Sequence, residues 1–369
     1  MFKMSYIDIL REFKPVWFIS VMGTGISTSV LFHFPYEAEW LKVLSIIMFA
    51  ICSFCLLMST VLFFAKIILL ENKMEIMYDN KINTFTGCYA MGFSSWVTAL
   101  HLITKETYPI AIYSLWWIGI AMSVFTGWVV FFTMVKSSQL KIEEMNSTVL
   151  LAVVPLSVVA SQSQIILPSL PTHLHLSTFI VGFLLWSNAM CISFLITAVY
   201  LHRLLFHKLP SQAAIFTSFI PIGFLGQGGY GIQLLGLNIH NYLLALGQEN
   251  EVQAMIFKTL GLVTGLFLQS VGYFFTFLAI ASVLSYRFQK FNYGFWAMTF
   301  PLGTMCLSAL QTFKLTNWPA FRIISTVYGT SLILITIFCL LASSYLMLTA
   351  APALPEEQKS PRKSTKETV

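Results

Sequence analysis

The chain has 369 residues, of which 57% are hydrophobic and only 10% charged, with a formal net charge of +6. An average globular protein carries about 25% charged residues, and here apolar stretches long enough to cross a bilayer recur along nearly the whole sequence. A soluble enzyme, a nucleic-acid binder and a disordered scaffold are thereby excluded, and the positive surplus belongs in loops beside anionic lipid.

Taken in chain order, ten helices are expected at 15–34, 43–70, 84–104, 108–135, 147–167, 176–201, 213–236, 254–286, 292–312 and 321–350. Charged or turn-forming runs separate them, among them residues 71–75 and 138–144. Gly, Ser and Thr dilute the hydrophobicity of the first, third and seventh. The expected fold is an all-α integral membrane protein, a single ten-helix transport domain over residues 1–350. Residues 351–369, a Pro-rich start followed by a Lys/Ser/Glu mix, read as a disordered cytoplasmic tail. No cleavable signal peptide is apparent.

Orientation follows from the loops, because cytoplasmic loops accumulate Lys and Arg. With the N-terminus inside, 16 of the 21 basic residues fall on the cytoplasmic side and 5 on the other. The split supports an even number of spans, with both termini cytoplasmic. The sequon Asn146-Ser147-Thr148 falls on the cytoplasmic side, where it would stay unused. All six cysteines lie inside apolar runs, so no disulfide framework is expected, and Cys52 with Cys55 reads as packing.

Proline and glycine alternate with a period of two helices. Pro15 opens the first helix, while Pro155, Pro221 and Pro301 are expected deep within helices five, seven and nine. The odd helices also carry the glycine-rich and polar runs, such as Met22-Gly23-Thr24-Gly25 and Gly226-Gln227-Gly228-Gly229. The even helices are long and apolar. Broken backbone within a membrane is tolerated only where protein or a water-filled cavity surrounds it. Five tandem hairpins, with odd helices lining a central pore and even helices against lipid, satisfy that rule. Alternatively, the glycines only let helices pack closely. The six glycines from Gly223 to Gly236 exceed what one packing interface needs, which points to the pore.

No Asp, Glu, Lys or Arg is expected deep in any span, so proton relays and voltage sensors lack their ionisable groups. His101 reads as an interfacial residue, and His173 with His175 lacks a third ligand for zinc. Without a buried acid to orient a Ser or His there is no catalytic triad, and no enzyme, cofactor or metal is expected. The run Gly226–Gly231 lacks the preceding strand and the following Lys of a nucleotide loop. An uncharged path suits a small anion held by backbone N–H groups and helix N-termini. Proline-freed carbonyls would instead suit a cation. Composition alone stops at a pore or carrier.

Several blocks go further: Val21-Met22-Gly23-Thr24-Gly25-Ile26-Ser27, Phe34-Pro35-Tyr36, Leu225-Gly226-Gln227-Gly228, Gly272-Tyr273-Phe274-Phe275-Thr276 and Phe291-Asn292-Tyr293-Gly294-Phe295-Trp296 leading into Thr299-Phe300-Pro301-Leu302-Gly303-Thr304-Met305. On these, over residues 11–345, the chain resembles the tellurite-resistance/dicarboxylate transporter family. That family includes plant slow anion channels, yeast malate carriers and fungal sulfite efflux pumps, and the resemblance is strongest to the sulfite pumps. It implies ten helices in five hairpins, a homotrimer with one pore per subunit, and a pore-occluding phenylalanine, here Phe300. Departures fall in the pore helices: Tyr89-Ala90-Met91-Gly92, Gly223-Phe224 with the proline moved to Pro221, and Ala160-Ser161-Gln162-Ser163-Gln164.

The expectation is therefore a plasma-membrane exporter of sulfite or bisulfite, with a malate-type dicarboxylate carrier or a less selective anion channel as the alternative. A receptor and an intramembrane enzyme find no support in the span count or in any buried acid–histidine pair. The expected pathway residues are Gly23, Thr24, Gly25, Met91, Gly92, Pro155, Ser157, Gln227, Gly228, Phe300 and Thr304, with Phe300 as the gate. The expected partners are the anion, the lipid bilayer and further copies of the chain, with no nucleic acid.

Overall fold

The computed structural model describes residue 10 and residues 13–69, 83–137, 141–247, 251–286 and 290–349. The tail at 351–369, the separators at 71–75 and 138–140, and the basic residues Lys3, Arg11, Lys73, Lys81 and Arg287 lie outside them. Among the described residues the structure is helical with no strand. Ten long rods follow one another: α1 (Phe18–Phe32), α2 (Glu39–Leu69), α3 (Thr86–Ile103), α4 (Pro109–Ser137), α5 (Val154–Ile166), α6 (His175–His207), α7 (Ile220–Leu246), α8 (Glu251–Leu284), α9 (Thr299–Thr316) and α10 (Pro319–Thr349). Two run further than expected, α6 to His207 and α7 to Leu246. A π-helical stretch, Phe125–Val130, interrupts α4.

Six rods are long and apolar enough to cross a membrane: α1 with its entry turn, and all five even-numbered helices. This is a multi-pass membrane protein. Of the remaining four, α3, α7 and α9 are too polar to reach that level, and α5, at 13 residues, is too short. The dilution noticed in the third and seventh helices thus extends to the ninth, whereas the first retains a mean hydropathy of 1.4.

Contacts explain the difference. Each odd helix touches the next, and α9 closes back onto α1, so the odd helices form a ring. Each even helix packs outside, against the odd helix that precedes it. In the ring, hydroxyls are satisfied by their own helix: Thr24 donates to the Ser20 carbonyl (2.8 Å), Ser27 to Gly23 (2.7 Å) and Thr28 to Thr24 (3.0 Å). Indole N–H groups fasten the two layers. Trp96 on α3 donates to Ser53 on α2, Trp116 on α4 to the Val159 carbonyl on α5, and Trp186 on α6 to the Gly228 carbonyl on α7, all at 2.8–2.9 Å.

Every odd helix is entered through a 3-10 segment: Pro15–Trp17, Asn83–Phe85, Ser147–Ala152, Gln212–Phe219 and Tyr293–Met298. Two are started by asparagine side chains, Asn146 accepting from Thr148 N (2.9 Å) and Asn292 from Gly294 N (2.8 Å). The prolines mark where these segments pass into α-helix. Pro155 and Pro221 stand in the first turn of α5 and α7, and Pro301 in the first turn of α9, each behind its 3-10 segment. A proline costs little there, since it has no N–H to leave unpaired.

Candidate functional site: a divided axial cavity

Two cavities lie within the ring. The larger, about 650 Å³, is lined by residues from all five 3-10 entries, including Val16, Phe85, Thr148, Thr217 and Ala297, and by the first turns of the odd helices. The smaller, about 20 Å³, is lined by Ser29, His33, Ser95, Thr98, Gln227, Tyr230 and hydrophobic neighbours. Phe300 belongs to both linings, and no other residue does. Its ring is 3% exposed and stands in the first turn of α9. Met22 from α1 and Met91 from α3 complete the inner end of the larger cavity.

The lining positions have a simple period. On α1 they are Ile19, Met22, Ile26, Ser29 and His33; on α3, Met91, Ser95, Thr98 and Leu102; on α7, Ile220, Gly223, Gln227 and Tyr230. Steps of three and four mark a single stripe on each helix. Consecutive residues turn away from that stripe by about 100°, so an unbroken motif cannot all face one axis.

Of the expected pathway residues, Met91, Gln227 and Phe300 line the cavities. The other eight are in neither lining, and contacts account for most of them. A Cβ at Gly23 would meet Thr299 and Trp296, one at Gly25 would meet Ser95, and one at Gly92 would meet Val21. Gly228 backs onto Met190 of α6, Thr304 onto Gly226 of α7, and Pro155 onto Gly87 of α3. Thr24 and Ser157 bond carbonyls of their own helices. The six glycines of α7 are explained in the same way. Gly226 faces α9, Gly228 faces α6, Gly229 stands between α9 and α8, Gly236 faces α8, and Gly231 faces α5. Of the six, Gly223 alone lines either axial cavity. One helix with four neighbours uses the surplus for close approach.

Sequence reasoning missed Ser29, His33, Ser95, Thr98 and Tyr230. Their signal was the three–four stripe running outward from Met22, Met91 and Gln227. His101, expected at an interface, is buried at 1% exposure in the last turn of α3, and neither ring nitrogen has a hydrogen-bond partner among the described residues.

The electrostatics of the larger cavity come from backbone. All five odd helices begin there and run away from it, so five positive helix ends converge on one chamber. Glu144, exposed at the rim, is the one charged residue in its lining among the described residues. The arrangement can attract an anion without binding it through a fixed cation.

Comparison with known proteins agrees with this geometry. The chain is 32% identical over 358 residues to a sulfite efflux pump of Candida albicans, covering 90% of this chain and 73% of that protein. It is 31% identical over 402 residues to a sulfite efflux pump of Saccharomyces cerevisiae, covering 91% and 88%. An uncharacterized transporter of Methanocaldococcus jannaschii is 24% identical over 323 residues, covering 84% and 86%. Residues 12–343 match the family described as voltage-dependent anion channel, and the chain belongs to that family.

Proposed function

We propose that the protein exports sulfite or bisulfite across the plasma membrane, along the axis that joins the two cavities, with flux limited at Phe300. The observation that carries this reading is the convergence of five helix N-termini on a chamber whose lining, among the described residues, holds no fixed cation. Entry of an anion is favoured there, and no buried Lys or Arg holds it afterwards, the balance that conduction requires. The printed names of the fungal relatives supply the identity of the anion.

In this reading all ten helices cross the bilayer as five hairpins, with both termini cytoplasmic. The division of basic residues, 16 to 5, supports that orientation. The larger cavity then opens to the cytoplasm, and an inside-negative potential drives an anion outward by about 2.3 kcal/mol per charge for each 100 mV. Met91, Gln227 and Phe300 carry the path together with Met22, Ile26, Ser29, Ser95 and Thr98. Gly23, Thr24, Gly25, Gly92, Pro155, Ser157, Gly228 and Thr304 serve it from behind, by setting how closely the ring helices approach. The protein moves its substrate unchanged and is not an enzyme. Assembly as a homotrimer rests on the family resemblance alone.

A malate-type carrier is the weaker reading, since a dicarboxylate calls for paired cationic donors and neither cavity lining contains Lys or Arg among the described residues. The test is flux from liposomes containing the purified protein, with sulfite, chloride, nitrate and malate compared against protein-free vesicles. Sulfite flux well above malate is expected. Malate flux without sulfite flux would overturn the assignment of the substrate and leave the fold untouched.

A further inference from the structure

Gln227 lies in the wall of the narrow cavity beyond Phe300, and its amide orientation is fixed by a chain of hydrogen bonds. Ser161 on α5 donates its hydroxyl proton to the Ser157 carbonyl at 2.6 Å, so toward other groups its oxygen can only accept. The amide of Gln227 therefore turns its NH2 toward Ser161, at 2.6 Å. What remains is the carbonyl oxygen Oε1, buried and without a partner among the described residues. Amide orientation is assigned from the hydrogen-bond network, and the Ser161 hydroxyl, bonded to the Ser157 carbonyl, assigns the NH2 of Gln227 to its side.

A bare acceptor in an anion path is a puzzle. A carbonyl oxygen repels a fully deprotonated oxyanion, and leaving it buried and unpaired costs about 1–3 kcal/mol. The same cavity contains two hydroxyls with no partner among the described residues, those of Ser95 and Tyr230, which can donate. Ser29 and Thr98 instead direct their protons to the Gly25 and Ser94 carbonyls. The site thus offers donors for bare oxygens and, beside the His33 imidazole and the hydroxyl oxygens, the carbonyl oxygen of Gln227 as an acceptor for an O–H. Sulfite has only bare oxygens and two charges; bisulfite has one charge and a proton to give.

Building on the sulfite reading above, we infer that Gln227 selects the protonated monoanion: its Oε1 accepts the O–H of bisulfite, while Tyr230 and Ser95 donate to the unprotonated oxygens. No covalent bond is made or broken, and the proton crosses with its anion. Gln227 is thus a specificity residue, positioned by Ser161, and the transported charge is one per sulfur.

The experiment compares sulfite and nitrate flux through the reconstituted full-length protein, at a pH below and a pH above the second ionisation of sulfurous acid. Nitrate, a monoanion with no proton over that range, is the internal reference, and protein-free vesicles give the background. In the wild type the sulfite-to-nitrate ratio should fall with rising pH in step with the bisulfite concentration. In Gln227→Leu the ratio at the lower pH should drop about tenfold, the order expected when one hydrogen bond to the ion is lost. Ser161→Ala, which frees the amide to turn, should move the ratio the same way by less. A wild-type ratio that stays flat with pH, or an unchanged ratio in Gln227→Leu, would overturn the inference. Nitrate flux with no sulfite flux at either pH would overturn the sulfite reading itself.

Discussion

The inner and outer helices of this protein invert the usual relation between burial and hydrophobicity. The α1 rod with its entry turn has a mean hydropathy of 1.4 and 78% of its most apolar window buried; α2 has 2.5 and 17%. In water the more apolar helix would be the hidden one. In a bilayer, lipid is as apolar as Leu, so exposure of Phe54, Leu195 or Leu334 costs nothing, and helices associate through small residues and close packing. The buried ring is accordingly made of Gly, Ser and Thr, while the outer layer is made of Phe, Leu and Ile.

That contrast can be broken at its tightest point. Gly87 on α3 faces the Leu151 carbonyl oxygen so closely that a Cβ would collide with backbone. Gly87→Leu is expected to cost about 3 kcal/mol or more, read as loss of the monodisperse peak in size-exclusion chromatography. The outer layer gives the converse test. Leu334, at the middle of α10, is 63% exposed. Leu334→Arg should cost about 2.5–3.5 kcal/mol of insertion free energy if that face meets lipid. Leu334→Val should stay within about 0.5 kcal/mol. A harmless arginine, measured by glycosylation-tag insertion assays, would mean that the face is not against hydrocarbon. The most informative change for function is at the partition. Phe300→Ala should raise anion flux about tenfold, a change of roughly 1.4 kcal/mol in the barrier, with retention of fold checked by thermal melting. Flux that does not rise from a well-folded variant would remove Phe300 as the limiting point.

The alternation itself was legible, because proline and glycine mark the odd helices regardless of their neighbours. The identity of the cavity-lining residues was not. Gly23, Thr24 and Gly25 form one motif, yet they point to three sides of α1, and the cavity meets Met22 and Ile26 on either flank of them. Pore-facing and contact-forming positions draw on the same small residues, so composition cannot separate them; only the three–four phase along each helix can. The 3-10 entries were hidden for a related reason. Pro155 and Pro221 look like mid-span kinks until the unwound turns ahead of them, Ser147–Ala152 and Gln212–Phe219, shift the start of the α-helix forward.

The indole fastenings have a consequence for how the protein is made. Trp96, Trp116 and Trp186 each join an even helix to the odd helix that is synthesised next. The hydroxyls of α1 are already occupied by that helix's own carbonyls before any partner arrives. A nascent odd helix can therefore leave the translocon with much of its polarity concealed and dock on the hairpin just completed. The ring can close onto α1 only once α9, the last odd helix, has been made.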